Sequence, residues 1–221
     1  MPSGKGSLAW RDEIRRDSQP NPFAIRSVTA LSSFEVLAQP LIPPLPTPPG
    51  AQPPQAVPYA LQAYFVQVSY PKEGSGSGQG ANPASIQFNL VFQETTGFKN
   101  REQAVVLAQF IDENGDLQTD GNFLSSNPNV DSGYMKQQIL PGQTKIYSLT
   151  VLPKTAPGEA VAATPQSGIG WRGTVFLQPN SPDFLIATPT QRQIYYTSAT
   201  LMTVTDSVVY PVPTFSGKTQ I

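Results

Sequence analysis

The sequence has no cysteine and no histidine, and it has few charged residues. Without cysteine the chain has no disulfides and no thiolate metal ligands, so its stability has to come from packing. Without histidine it lacks the usual general base and the commonest transition-metal ligand, which excludes Ser-His-Asp and Cys-His catalysis. No other motif marks a reaction centre. We therefore expect a protein that is not an enzyme and uses no cofactor.

Charged residues make up 13% of the 221 residues, and the net charge is −1. Globular proteins usually carry about 25% charged residues. The electrostatic field of so weakly charged a protein does not attract nucleic acid. The arginines near the N-terminus also lie among acidic residues, so nucleic acid is not expected as the main partner. A surface of neutral polar residues suits dense contact with other subunits, because little charge has to be desolvated.

Long apolar runs are also missing. No run approaches the roughly 18 residues that a membrane-spanning helix needs, and the first twenty residues have no apolar core of the kind found in secretory signal peptides. We expect neither membrane insertion nor a signal peptide.

Proline, in contrast, is abundant: 9 of the 24 prolines lie between Pro40 and Pro58. This stretch predicts an extended polyproline II segment, which cannot pair as a central strand. We interpret residues 1–58 as an N-terminal arm that ends in a polyproline linker.

The arm contains two apolar segments that are candidates for docking. Residues 7–17 predict a short helix with one narrow apolar stripe. Residues 23–37 predict an extended segment that adds a strand to a sheet, either its own or a neighbour's. The predicted assembly contacts in these segments are Trp10, Ile14, Phe23, Ile25 and Phe34.

From Tyr59 onward the apolar residues alternate with period two. Tyr64, Val66 and Val68 lie on one face of a predicted strand, and residues 86–92 repeat the pattern. About seven or eight such segments, separated by turn residues, predict an antiparallel β-sandwich over residues 59–206, of immunoglobulin-like or jelly-roll type. Residues 207–221 predict an extended tail that binds the sheet edge or a neighbour.

One turn resembles part of a calcium-binding loop. Asp112, Asn114, Asp116 and Asp120 fall two, two and four residues apart, with Gln118 between the last two, as in the first part of an EF-hand loop. Leu117 stands where that loop needs glycine, and no helices flank it. The Asn114-Gly115 pair between two strand-like runs also predicts a simple β-hairpin, which explains the sequence without a metal.

Trp171 and Arg172 are the other candidate site, since an aromatic ring beside an arginine is typical of a ligand platform. Adjacent residues on a strand point to opposite faces, which favours Trp171 as a core residue and Arg172 as a solvated one.

Two hypotheses about function follow. The first is a structural subunit of a large assembly, such as a virion or phage component or a surface filament. In this hypothesis the arm binds other copies of the chain or other subunits. The alternative is a carbohydrate- or ligand-binding sandwich on a proline-rich stalk. The first hypothesis places the protein in a virion or an extracellular assembly.

Overall fold

The computed structural model describes residues 28–41, 58–72, 83–99, 102, 104–120, 123, 132–153, 168–181, 184–197 and 203–216. These residues form a ten-stranded antiparallel sheet, and none of them lies in an α-helix. The prediction of an all-β antiparallel fold is confirmed. The strands are β1 (Thr29–Pro40), β2 (Tyr59–Ser69), β3 (Ile86–Lys99), β4 (Ala104–Ile111), β5 (Leu117–Thr119), β6 (Ser132–Ile139), β7 (Thr144–Pro153), β8 (Ile169–Pro179), β9 (Ile186–Tyr196) and β10 (Val204–Pro211).

Strand β2 organises the sheet because it has three neighbours. Along one edge it pairs with β9 over its whole length. Along the other edge its residues 59–62 pair with β1, and its residues 64–69 pair with β7. The sheet therefore divides at Ala63 into a first branch, β1-β8-β3-β6, and a second branch, β7-β4-β5. Beyond β2, strands β9 and β10 complete the sheet.

The two branches face each other across one core. Phe88 of the first branch packs edge-on against Tyr147 of the second, with ring centroids 5.8 Å apart. At the division both faces of β2 are covered, and all of its residues 59–64 are buried. The sheet is thus curled, and the apolar faces of both branches contribute to a single core.

An aromatic cluster lies at the centre of the first branch. Trp171 is fully buried, and its ring lies 5.1 Å from that of Phe34 and 6.3 Å from that of Phe123, between centroids. Phe34 also meets Phe92 at 5.4 Å. Each of these edge-on pairs contributes about 0.5–1.5 kcal/mol beyond burial alone. The indole Nε1–H of Trp171 donates a hydrogen bond to Glu94 Oε2 at 3.0 Å, so its polar atom is satisfied.

A buried hydrogen bond joins the first branch to β2 where the branches separate. A β-bulge between Ala30 and Ser32 shifts the register of β1, and Ser32 is fully buried. Its hydroxyl lies 2.7 Å from the Tyr64 hydroxyl on β2. Burial raises the pKa of Tyr64 well above its usual range, so the phenol remains protonated and able to donate.

The sheet begins earlier than the predicted boundary at residue 58. β1 lies inside the predicted arm, yet it pairs with β2 on one edge and with β8 on the other. It is therefore a central strand of the chain's own sheet. Phe34, expected as an assembly contact, is 3% exposed and belongs to the core. The alternation of β1 explains this, because Phe34, Val36 and Ala38 all turn inward.

The residues that flank the predicted polyproline segment lie next to each other in the sheet. Pro40 pairs with Tyr59, and the Leu41 N–H donates to the Pro58 carbonyl at 2.8 Å. Residues 42–57 lie outside the described part of the chain, but they connect two neighbouring strands. The polyproline II conformation of this segment stays a prediction.

Gly173 is the position of β8 where the aromatic cluster leaves no room for a side chain. A Cβ there would collide with the Gln93 carbonyl and lie 2.9 Å from the Phe34 ring. Because β1 and β3 pair with β8 at this residue, the backbone has little freedom to move away. We expect Gly173→Ala to lower the free energy of unfolding by about 3 kcal/mol or more, measured by denaturant titration.

Gly170 is the matched control for that substitution. It lies on the same strand, and the nearest atom to a Cβ there is 3.9 Å away. Gly170→Ala should leave the free energy of unfolding nearly unchanged. Equal effects at the two glycines would contradict the close packing described for Gly173.

Two buried tyrosines provide a second test of the core. Tyr64→Phe leaves the Ser32 hydroxyl without its partner and should destabilise the protein by about 1–3 kcal/mol. Tyr147 is fully buried, and its hydroxyl has no hydrogen-bond partner in the described part of the chain. Tyr147→Phe should therefore be neutral or stabilising. Thermal and denaturant unfolding of the two variants would show the difference, and the reverse order would contradict the hydrogen bond assigned to Tyr64.

Candidate functional site

The last strand and the residues after it form the most exposed apolar part of the described chain. Of the eleven large apolar side chains that are exposed there, four lie within residues 204–215. They are Val204, Val208, Val209 and Phe215, with exposed fractions from 47% to 62%. A group of exposed apolar residues on one element marks an interaction site more strongly than scattered ones do.

Strand β10 also has a free edge. Within the described residues it pairs only with β9. In the pairing register Val209 lies opposite Arg192, and Val208 lies opposite Gln193. Adjacent residues of a strand point to opposite faces, so the two valines lie on opposite faces of the sheet. The free N–H and C=O groups of β10 are thus flanked by an apolar side chain on each face.

Natural sheets protect their edges with short strands, lysines, prolines or bulges. The edge strand β5 has only three residues, and the edge strand β6 carries an exposed Lys136. On β10 a bulge lies between Val204 and Asp206, and Pro211 ends the strand. Residues 207–210 between these features have none of these protections, and this four-residue stretch is available for pairing.

The residues after β10 bind the sheet where its branches separate. The Val212 N–H donates to the Pro189 carbonyl at 3.2 Å, and the Phe215 N–H donates to the Leu31 carbonyl at 3.0 Å. The predicted tail therefore binds the chain's own sheet over these residues. Phe215 consequently lies close to the start of β1.

The other predicted assembly contacts, Trp10, Ile14, Phe23 and Ile25, lie outside the described residues. Their role in assembly stays a prediction. Val28, the first residue that the structure describes, is 59% exposed.

The structure places Trp171 and Arg172 on opposite faces of β8. A fully buried indole has no free face on which a ligand can stack. Arg172 lies on the outer face, where its guanidinium contacts Glu35 Oε1 at 2.6 Å. Both groups are largely exposed, so this ion pair contributes at most about 1 kcal/mol. The two side chains do not form the common surface that a ligand platform requires.

Glu35 links this outer ion pair to the division of the sheet. Gln62 Nε2 donates to its carboxylate at 3.3 Å, and Gln191 Nε2 donates to its backbone carbonyl at 2.6 Å. Gln62 and Gln191 are buried polar residues, and these bonds satisfy them. The cluster is therefore structural.

The calcium-like turn is a β-hairpin between β4 and β5. The backbone N–H groups of Asp116 and Asn114 donate to Asp112 Oδ1 at 3.0 and 2.9 Å, and Gln118 Nε2 donates to Oδ2 at 3.3 Å. These bonds lower the pKa of Asp112, and the bond from the Asp116 backbone N–H has the largest effect. Gly115 has φ of +88°, which a turn of this kind requires.

The structure does not bring the four predicted calcium ligands together. Among the residues that the structure describes, no group of three or more acidic, histidine or cysteine side chains is placed to hold a metal ion. The Asp112 carboxylate accepts bonds from its own turn.

Comparison with models of protein families, with curated proteins and with solved structures found no match. Within the described ranges, no helix is long and apolar enough to span a membrane. Function has to be argued from the surfaces described above.

Sequence reasoning found β10 only in part. The apolar residues 208–215 predict an extended segment that binds a sheet edge, but the strand itself starts at Val204. Its position at the edge carries no local signal, because alternation shows which face a residue lies on and does not show which strands pair with it.

The hairpin gives a pH-dependent prediction. Since the folded pKa of Asp112 lies below its ordinary value of 3.8, the carboxylate stabilises the turn above that pH, and the stabilisation is lost as pH falls through the lower folded pKa. NMR signals of the Asn114 and Asp116 amides should titrate below pH 3.8. In Asp112→Ala this titration should be absent, and adding calcium to the unmodified protein should move neither amide. A calcium-dependent shift at these amides would support the metal site instead.

Proposed function

We propose that this chain is a non-enzymatic structural subunit of a large protein assembly, such as a virion or phage component or a surface filament. In this proposal the N-terminal segment, residues 1–27, of one copy binds the free edge of β10 on the next copy. The observation that carries the proposal is the unprotected stretch of residues 207–210 on β10.

The chemistry of that edge fits an extended peptide. A peptide that adds a strand to a sheet gains backbone hydrogen bonds from the edge and specificity from the side chains on either face. Val208 and Val209 provide an apolar contact on each face. Only Asp206 is charged on β10, so pairing there desolvates little charge.

The N-terminal segment is long enough to reach a neighbour. It precedes β1, whose residue Leu31 is bound by the Phe215 N–H from beyond the end of β10. A chain extends at most about 3.3–3.6 Å per residue, so 27 residues span up to roughly 90 Å. A body of about 190 residues has a radius of gyration of roughly 16 Å. The segment can therefore cross from one body to the next.

Phe23 and Ile25 make residues 21–27 the best candidate for the added strand. They are alternate apolar residues, as a half-buried strand requires. Trp10 and Ile14 then lie farther along the same segment, where they are available to dock on the neighbour. The low charge of the whole chain, 13%, supports permanent contact, because interface cores are depleted in charged residues.

We also propose that the body is a β-sandwich of jelly-roll or immunoglobulin-like type. The two branches that face each other across one core support this type. Closed sandwiches of this kind serve widely as rigid bodies in assemblies.

The test compares the full-length chain with two variants by light scattering and negative-stain imaging over a range of concentrations. The full-length chain should form particles or filaments. A truncation that lacks residues 1–27, and the double variant Val208→Lys/Val209→Lys, should both be monomeric, because each removes one partner of the contact. Leu117→Lys is the matched control, since Leu117 is 63% exposed on the different edge strand β5; it should assemble normally.

A synthetic peptide of residues 1–27 makes the test specific. It should bind the truncated protein and fail to bind a truncated protein that also carries the two lysines. A full-length chain that stays monomeric at every concentration, or a peptide that binds equally well with and without the lysines, would contradict the proposal.

A further inference from the structure

A second surface lies on the outer face of the first branch, away from β10. Side chains of β3, β6 and β8 line a groove of about 310 Å³. Four of them are amides, Gln87, Asn89, Gln178 and Asn180, and the others are Phe88 on β3 and Tyr134 and Lys136 on β6. We call this surface the amide groove.

The register of three paired strands brings these residues together. Asn89 of β3 lies opposite Gln178 of β8 on one side and Lys136 of β6 on the other. The next outward row along the sheet contains Tyr134, opposite Val91. The groove therefore places a row of hydrogen-bonding side chains directly beside an aromatic ring.

Much of the hydrogen-bonding capacity in the groove is unused. The Asn180 side-chain oxygen accepts from the Gln87 N–H at 3.2 Å, which fixes its orientation. The side-chain amides of Gln87, Asn89 and Gln178 make no hydrogen bond with any residue that the structure describes. All three are half-buried. Each amide has two N–H donors and an acceptor oxygen.

Tyr134 offers the apolar part of the site. It is 57% exposed, so a face of its ring is open to solvent. Aromatic rings at binding sites combine a large apolar surface with low conformational entropy cost.

The composition of the groove selects one class of ligand. Amides that donate and accept at neighbouring positions match the paired hydroxyls of a sugar, and an exposed ring matches the C–H face of a pyranose. Among the described residues that line the groove there is no carboxylate, and Lys136 is the single charged group. A volume near 300 Å³ is at the small end of the range for ligand sites. It is appropriate for a short segment of an oligosaccharide.

We propose that the amide groove binds a neutral saccharide, with Asn89 and Gln178 hydrogen-bonded to its hydroxyls and Tyr134 stacked on a ring. This site is distinct from the predicted Trp171 platform, whose indole is buried. It does not depend on the assembly contact at β10. The amide groove lies on β3, β6 and β8 of the first branch, whereas β10 is joined to the sheet through β9.

The experiment titrates the full-length protein with neutral oligosaccharides built from glucose, galactose or mannose, and with sialylated lactose as the acidic probe. Binding is followed by calorimetry and by the NMR signals of the β3, β6 and β8 amides. At least one neutral oligosaccharide should bind and shift those signals. Asn89→Ala combined with Gln178→Ala should weaken binding at least tenfold, and Tyr134→Ala should do the same.

Two controls separate a binding role from a structural one. Tyr134→Phe keeps the ring and should bind within about threefold of the unmodified protein. Gln67→Ala removes an exposed amide from β2, outside the groove, and should change nothing. The proposal is overturned if no neutral oligosaccharide binds, or if only sialylated lactose binds and Lys136→Gln abolishes it. A groove variant that changes the light-scattering mass while no saccharide binds would instead make this face a protein contact.

Discussion

The fold depends on one strand with three neighbours. β2 pairs with β9 along one edge, and with β1 and then β7 along the other. Since β1 takes residues 59–62 and β7 takes residues 64–69 of the same edge, the two branches separate at Ala63, and their apolar faces meet in one core. The consequence is that residues 59–64 are buried on both faces, and that polar groups there need partners within the protein. Ser32 with Tyr64, and Glu35 with Gln62 and Gln191, supply them.

The separation of the branches also explains the density of aromatic residues beside it. Two sheets that diverge leave a wedge-shaped space, and large rings fill such a space with few side chains. Phe34, Trp171 and Phe123 pack edge-on there, and Gly173 lets the Phe34 ring approach the backbone. Trp171, predicted as part of a ligand platform, fills this wedge, and Arg172 on the outer face pairs with Glu35 instead.

The two proposed binding surfaces, the edge of β10 and the amide groove, lie on different parts of the sheet. Near the division, the Phe215 N–H binds the Leu31 carbonyl and brings the residues after β10 next to the start of β1. That arrangement puts the exposed edge strand β10 and Val28, the first described residue, on the same part of the body. The amide groove lies on β3, β6 and β8, toward the opposite end of the strand order. We propose the first surface for assembly and the second for recognition, and the two can act together because they use different strands.

The sequence by itself determined the strand content, the absence of thiol and imidazole chemistry, and the hairpin at Asn114-Gly115. These features are local: alternation places Tyr64, Val66 and Val68 on one face, and a tight turn needs a residue such as Gly115 with positive φ. Only the tertiary structure decided that β1 belongs to the body, that the ends of the polyproline segment meet, and that β10 is an edge. The physical reason is that pairs such as Pro40 with Tyr59 and Val209 with Arg192 form wherever packing brings strands together, and the alternation of a single strand does not specify its neighbour.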